Sequence, residues 1–211
     1  HLLGRRQRQM CIRDSRNSVV SRAKHLGYTP TSVRGAKAYI DLTITPANTP
    51  SNIIIEKDTQ FTSTVNGISY IFATTGSTTI GVNANGIYTT ANVELSQGIP
   101  LTHRYTANTA DPDQRYILPN ANTDTSTLTV QIQTSATNTN LYTYSVANDT
   151  TTINSTSNVY FLEEDTDSRY RVYFGDDIIG RKLVDGNIIV LKSLISDASA
   201  PNGAKTFTPV S

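Results

Sequence analysis

Apolar and polar residues alternate from Ala36 onward. Ala36, Ala38, Ile40, Leu42 and Ile44 fall on one face, with Lys37, Tyr39, Asp41 and Thr43 between them. A period of two predicts a half-buried strand, because successive side chains on an extended chain point to opposite sides. Pro46 and Pro50 end it, since proline has no amide proton to give to a sheet ladder. Residues 53–55, three isoleucines, predict a short buried strand. Residues 61–65 and 68–74 flank Asn66-Gly67, a pair that tolerates the positive φ of a type I′ reversal, so a hairpin is expected there. Asn85-Gly86 is expected to repeat the device ahead of a strand over 87–95, with Ile87, Thr89, Ala91, Val93 and Leu95 on one face. Gly98 and Pro100 are expected to break the chain.

Residues 106–127 are polar and rich in turn formers. Leu128, Val130 and Ile132 then alternate with Thr129, Gln131 and Gln133, which predicts another strand. A Thr/Asn-rich stretch over 134–158 is interrupted by Leu141-Tyr142-Thr143-Tyr144. Strands are expected over 159–162 and 170–174 around an acidic turn, and over 188–191, with a turn at Pro201-Asn202-Gly203. One helix is expected, over 17–26, where Val19, Val20, Ala23 and Leu26 share a face and Gly27 supplies the stop. The fold class is therefore mainly β (β-rich α+β): antiparallel sheets and hairpins with one short N-terminal helix. The expected division is a leader at 1–15, a helix and first β region at 16–105, and a second β region at 106–211 that is truncated at its C-terminus.

Composition sharpens this picture. Apolar residues make up 37% of the chain and Trp is absent. Thr, Asn and Ser fill the deficit, which suits short strands joined by polar loops. The net charge of +1 hides an asymmetry: residues 1–37 carry +8 and residues 38–211 carry −7. A mildly acidic body does not suit a nucleic-acid surface. Cys11 is the only cysteine, so no intrachain disulfide can form. No apolar run approaches the roughly 20 residues that span a bilayer, so no membrane partner is expected. The string Arg8-Gln9-Met10-Cys11-Ile12-Arg13-Asp14-Ser15 resembles a translated sequencing-adapter read-through, so residues 1–15 are expected to be a non-native leader; the alternative is a basic N-terminal arm that binds nucleic acid or a membrane surface.

Three stretches carry a family resemblance. The first runs from Ser21-Arg22-Ala23-Lys24 through Pro30 into the strand from Ala36. The second joins Thr59-Gln60-Phe61-Thr62 to Tyr70-Ile71-Phe72-Ala73-Thr74. The third and most specific is Val159-Tyr160-Phe161-Leu162-Glu163-Glu164, then Tyr170-Arg171-Val172-Tyr173-Phe174-Gly175-Asp176, then Gly180, Gly186-Asn187 and Pro201-Asn202-Gly203. Together, over 17–207, they resemble the baseplate wedge subunit of T-even-type contractile-tailed phages, in the Baseplate J-like family. The resemblance implies a structural component of the virion, made in the host cytoplasm and placed in the tail baseplate. It implies as partners other baseplate wedge proteins and copies of itself, as a homo-dimer within a hetero-oligomeric ring around the central hub. Full wedge subunits are several times longer, so the chain is expected to be a fragment.

Enzymatic chemistry finds little footing in the residues. Glu163, Glu164, Asp165, Asp167, Asp176 and Asp177 could supply a carboxylate pair or a calcium site, but they read more simply as solvated turns. His1, His25 and His103 lack ligand spacing, so no metal is expected. No nucleophile elbow or phosphate-binding loop is present. Residues 18–39 could form a helix-turn-helix, but the alternation from Ala36 favours a strand. Asn148 and Asn154 begin glycosylation-type triplets that read as polar loops. Tyr142, Tyr144, Tyr160, Tyr170 and Tyr173 are expected to pair across strands; a platform for stacking sugars is the other use. No catalytic, cofactor-binding or metal residue is assigned, and no enzyme activity or cofactor is expected. The alternative function is a carbohydrate-binding or depolymerising β-domain of a phage tail or adhesin.

Overall fold

The computed structural model describes residues 31–147, 152–165 and 168–210. The expected leader and helix lie outside them. The described chain is mainly β, with 51% of it in strands and no helix, and its sheets curve into a half-barrel and a near-closed barrel. Two compact units are built from interleaved segments. One comprises Val33–His103, Asn122–Thr129 and the chain from Lys192. The other comprises Arg104–Ala121, Val130–Leu191 and the residues just before Val33.

In the unit that begins at Val33, β1 (Lys37–Ile44), β2 (Asn52–Ile55), β3 (Gln60–Val65), β4 (Ile68–Thr74), β5 (Thr78–Gly81) and β6 (Tyr88–Gln97) follow one another. The main sheet has the order β1-β6-β4-β3-β14, where β14 is Thr208–Pro209, and β2 pairs separately with β5. The alternation in β1 is kept: Ala38, Ile40, Leu42 and Ile44 are half-buried and the residues between them exposed. Ala38, Ile40 and Leu42 cover the core of Phe61, Phe72, Val93 and Leu95, on which Phe207 also packs. Phe207 meets Phe72 edge to face, with centroids 5.1 Å apart, the arrangement that the ring quadrupoles favour. A second cluster joins Ile55, Ile80 and Tyr88, and the Tyr88 hydroxyl donates to the Pro50 carbonyl.

Asn66 and Gly67 adopt φ of 52° and 81°, and Val65 faces Ile68 across the reversal. Three local expectations change. Asn85-Gly86 does not repeat that two-residue turn: only Gly86 has positive φ, and the Asn83 carboxamide organises a longer loop by accepting from the amides of Asn85 (2.9 Å) and Ile87 (3.0 Å). The single inward face expected over 87–95 is also broken. Tyr88 points inward, and so do Val93 and Leu95, an odd number of residues later. A bulge accounts for the change of phase: Ile40 faces Val93 but Leu42 faces Thr90. Asn92 takes φ 58° there and donates its amide to Asp41 (2.9 Å). One extra residue in a strand swaps the faces of everything beyond it. Finally, Gly98 does not end the extended chain. It links β6 to β7 (Ile99–Thr106), and a Cβ there would lie 2.8 Å from the Leu194 Cβ.

The remaining strands are β8 (Tyr116–Leu118), β9 (Thr123–Gln133), β10 (Leu141–Val146), β11 (Val159–Glu164), β12 (Tyr170–Phe174) and β13 (Ile188–Ile195), in the sheet order β7-β13-β9-β10-β11-β12-β8. Every pair whose register is defined is antiparallel except β10 with β11, which run parallel through Ser145 facing Val159. The strand expected around Leu128 begins earlier, at Thr123, inside the stretch read as turns. In the unit containing Val130–Leu191, Leu118, Val130, Val172, Ile189, Val190 and Leu191 are almost wholly removed from water. Tyr116 packs edge to face on both Tyr105 and Phe174, and Phe174 packs likewise on Tyr144.

Candidate interaction surface

The chain leaving β12 makes a tight loop from Phe174 to Arg181. Its two acids serve the backbone. The Asp176 carboxylate accepts from the amides of Ile178 and Ile179, each at 3.0 Å, and that of Asp177 accepts from the Lys182 amide at 2.9 Å. The Asp177 amide donates to the Gly180 carbonyl at 3.0 Å and closes the ring. The loop is also tied down from outside: Gly180 donates to the Asn154 carbonyl at 3.1 Å and Arg181 to that of Ser157 at 2.9 Å. The Asn154 carboxamide in turn accepts from the amide and hydroxyl of Thr156.

Two glycines make this closure possible. A Cβ on Gly175 would sit 2.1 Å from the Gly180 carbonyl oxygen. Gly180 has φ of 82°, and a Cβ on it would lie 2.7 Å from a Val159 methyl. Only a residue without a side chain lets these backbones come so close. The next reversal is held by Asn187, which is buried. Its side chain accepts from the Val184 amide and donates to the Thr134 carbonyl, both at 2.8 Å.

This scaffold holds apolar groups in water. Ile178 is 75% exposed and Ile179 43%, and Val184 is 67% exposed. Scattered surface apolar residues are ordinary. Two adjacent isoleucines on a loop fixed by six hydrogen bonds differ, because the backbone that carries them is already ordered in the fold. Burying a fully exposed isoleucine is worth about 1.5–3 kcal/mol, so the surface still open on this pair is worth about 2–3 kcal/mol together.

Several charged groups bond a neighbouring side chain. Arg171 on β12 bonds Glu163 on β11 at 2.7 Å, and its guanidinium lies 6.0 Å from the Tyr173 ring centre. Arg171 and Tyr173 border an open cleft of about 550 Å³ that also holds Asp111, Arg115 and Lys182. A second cleft, about 470 Å³, contains Lys37 and Lys57. Lys37 bonds Glu94 and Lys57 bonds the Thr129 hydroxyl, each at 2.6 Å.

The acids therefore divide by role. Glu163 forms an ion pair, and Asp176 and Asp177 shape their loop, while Asp167 lies outside the described residues. The amides of Ile179 and Ile178 hold the Asp176 carboxyl below the usual carboxylate range. A carboxyl held in that direction is a poor proton donor at neutral pH. Among the described residues no three His, Cys, Asp or Glu side chains converge as a metal site. His103 lies on β7; His1, His25, Cys11 and Asn148 lie outside the described residues. Tyr173 stacks on its cross-strand partner Phe161 at 5.1 Å, and Tyr144, Tyr160 and Tyr170 are buried. Of the five tyrosines, Tyr142 and Tyr173 remain substantially exposed. Sequence reading passed over Ile178-Ile179; the available signal was an apolar pair enclosed by Asp-Asp and Gly. Comparison of the chain with protein-family models and with curated proteins finds no match.

Proposed function

We propose that the chain is a structural building block of a contractile-tail baseplate, part of a wedge subunit that joins neighbouring wedge proteins and copies of itself. The observation that carries the joining role is the rigid loop offering Ile178 and Ile179 to solvent. The resemblance to wedge subunits supports the setting. Its most specific stretch is the one that folds into the β11–β12 hairpin, the Gly175–Gly180 closure and the Asn187 clamp. A pre-ordered apolar tip loses little entropy on docking, which suits a part that must assemble from soluble pieces.

Sedimentation of the full chain over a concentration series, alone and with the proteins encoded beside it, tests the reading. Self-association or co-sedimentation is expected, and Ile178→Asp with Ile179→Asp should weaken it at least ten-fold. The open surface of the two isoleucines together contributes more than the 1.4 kcal/mol that corresponds to ten-fold. A chain that stays monomeric, ignores those neighbours and binds surface polysaccharide instead would overturn the proposal.

A further inference from the structure

The chain contains three Asn-Gly pairs, Asn66-Gly67, Asn85-Gly86 and Asn202-Gly203. Each can undergo the same reaction. The glycine backbone nitrogen loses its proton and attacks the asparagine Cγ. The new N–Cγ bond forms as the Cγ–Nδ2 bond breaks, ammonia leaves and a succinimide remains. Water then adds and opens the ring to aspartate or isoaspartate. No oxidant or catalyst is required. Glycine is the most permissive residue to follow the asparagine, because no Cβ blocks the approach. With the dipeptide constant, the fold alone sets the differences among the three.

At Asn85 the attacking atom is occupied. The Gly86 amide donates to the Asn83 carbonyl at 3.0 Å, and the Asn83 carboxamide binds the amides on both sides of this pair. Asp185-Gly186, which could close the same ring, is held likewise, with the Gly186 amide on the Ala107 carbonyl at 2.9 Å. At Asn66 neither the side chain nor the Gly67 amide has a partner among the described residues, but Val65 facing Ile68 clamps the backbone on both sides. Asn202 and Gly203 are both exposed and belong to no strand. Asn202 uses its own amide, on the Ser199 carbonyl at 3.1 Å, but its side chain and the Gly203 amide have no partner among the described residues.

We infer that Asn202 is a site of spontaneous deamidation, converting before Asn66, with Asn85 protected. The product carries a new negative charge in the turn closed by the Ala204 amide on the Pro201 carbonyl (3.3 Å). The isoaspartate form also lengthens the backbone there by one carbon.

The test is peptide mapping by mass spectrometry of the full chain aged at mildly alkaline pH, with isoaspartate detected by enzymatic methyl labelling. A parallel sample is aged in denaturant. In the folded chain Asn202 should convert roughly ten-fold faster than Asn85, the factor for opening one hydrogen bond before attack, with Asn66 between them. In denaturant the three rates should converge. Asn85 converting as fast as Asn202 in the folded chain would overturn the inference. So would an order that persists unchanged in denaturant, since local sequence would then set it.

Discussion

Replacing Gly180 with Ala introduces a methyl group at φ 82° and 2.7 Å from a Val159 methyl. The two penalties can be separated. A left-handed conformation costs a residue with a Cβ about 1–2 kcal/mol. Overpacking a closed site adds roughly 1–3 kcal/mol. The sum, roughly 2–5 kcal/mol, is a large part of the roughly 5–15 kcal/mol that holds a domain folded. Val159→Ala in the same chain removes the clashing methyl but leaves the φ penalty. The double variant should therefore recover about 1–3 kcal/mol, the overpacking part, relative to the sum of the single effects. Urea unfolding followed by tyrosine emission can read this, since the chain has 11 Tyr and no Trp. A Gly180→Ala chain within about 0.5 kcal/mol of the parent, the range of an ordinary surface change, would show that the Gly175–Gly180 closure is not as tight as described. So would strictly additive effects of the two substitutions.

Gln97 is almost fully buried, accepts from the Ser196 hydroxyl and the Asp197 amide, each at 2.9 Å, and donates to the Asp197 carboxylate at 2.8 Å. Gln97→Leu should cost about 1–3 kcal/mol in urea unfolding, because it leaves the buried Ser196 hydroxyl without its acceptor. Asp176 has a depressed carboxyl pKa in the fold, so its contribution to stability is complete above the ordinary value of 3.8 and is lost as pH falls through the lower folded-state value. NMR titration should place its midpoint below 3.8, and Asp176→Asn should flatten the acid limb of the stability curve. A midpoint at the ordinary value would remove the amide contacts as its cause. Ile178→Asp with Ile179→Asp should lower the unfolding free energy in urea by no more than about 2 kcal/mol, since Ile178 is 75% exposed and Ile179 43%. A larger loss would make them core residues.

The β character was legible because it rests on local signals. The alternation of β1 and the positive φ of Asn66-Gly67 are properties of neighbouring residues. What escaped depends on distant ones. The bulge at Asn92 shows in the sequence only as Tyr88 and Val93, two large apolar residues at odd separation; its cause is Asp41 on another strand. Asn85-Gly86 carries the same letters as Asn66-Gly67, but Asn83 two positions earlier captures the loop amides and changes the turn. The parallel pairing of β10 with β11 cannot be read from strand composition at all. Nor can the passage of β7, β9 and β13 from one compact unit to the other. The candidate surface was half visible. Glycines and acids marked the loop from Gly175 to Gly180 as a turn. Which apolar residues such a turn leaves outside depends on contacts with Asn154, Ser157 and Val159, some 20 positions away.

Cryo-electron microscopy of contractile-tail particles purified from cells that express this chain tests the proposed role most directly. The role requires β-rich density for the chain at the tail end, with Ile178 and Ile179 buried against a neighbouring subunit. A particle that lacks the chain, or one in which that loop stands in open solvent, contradicts it.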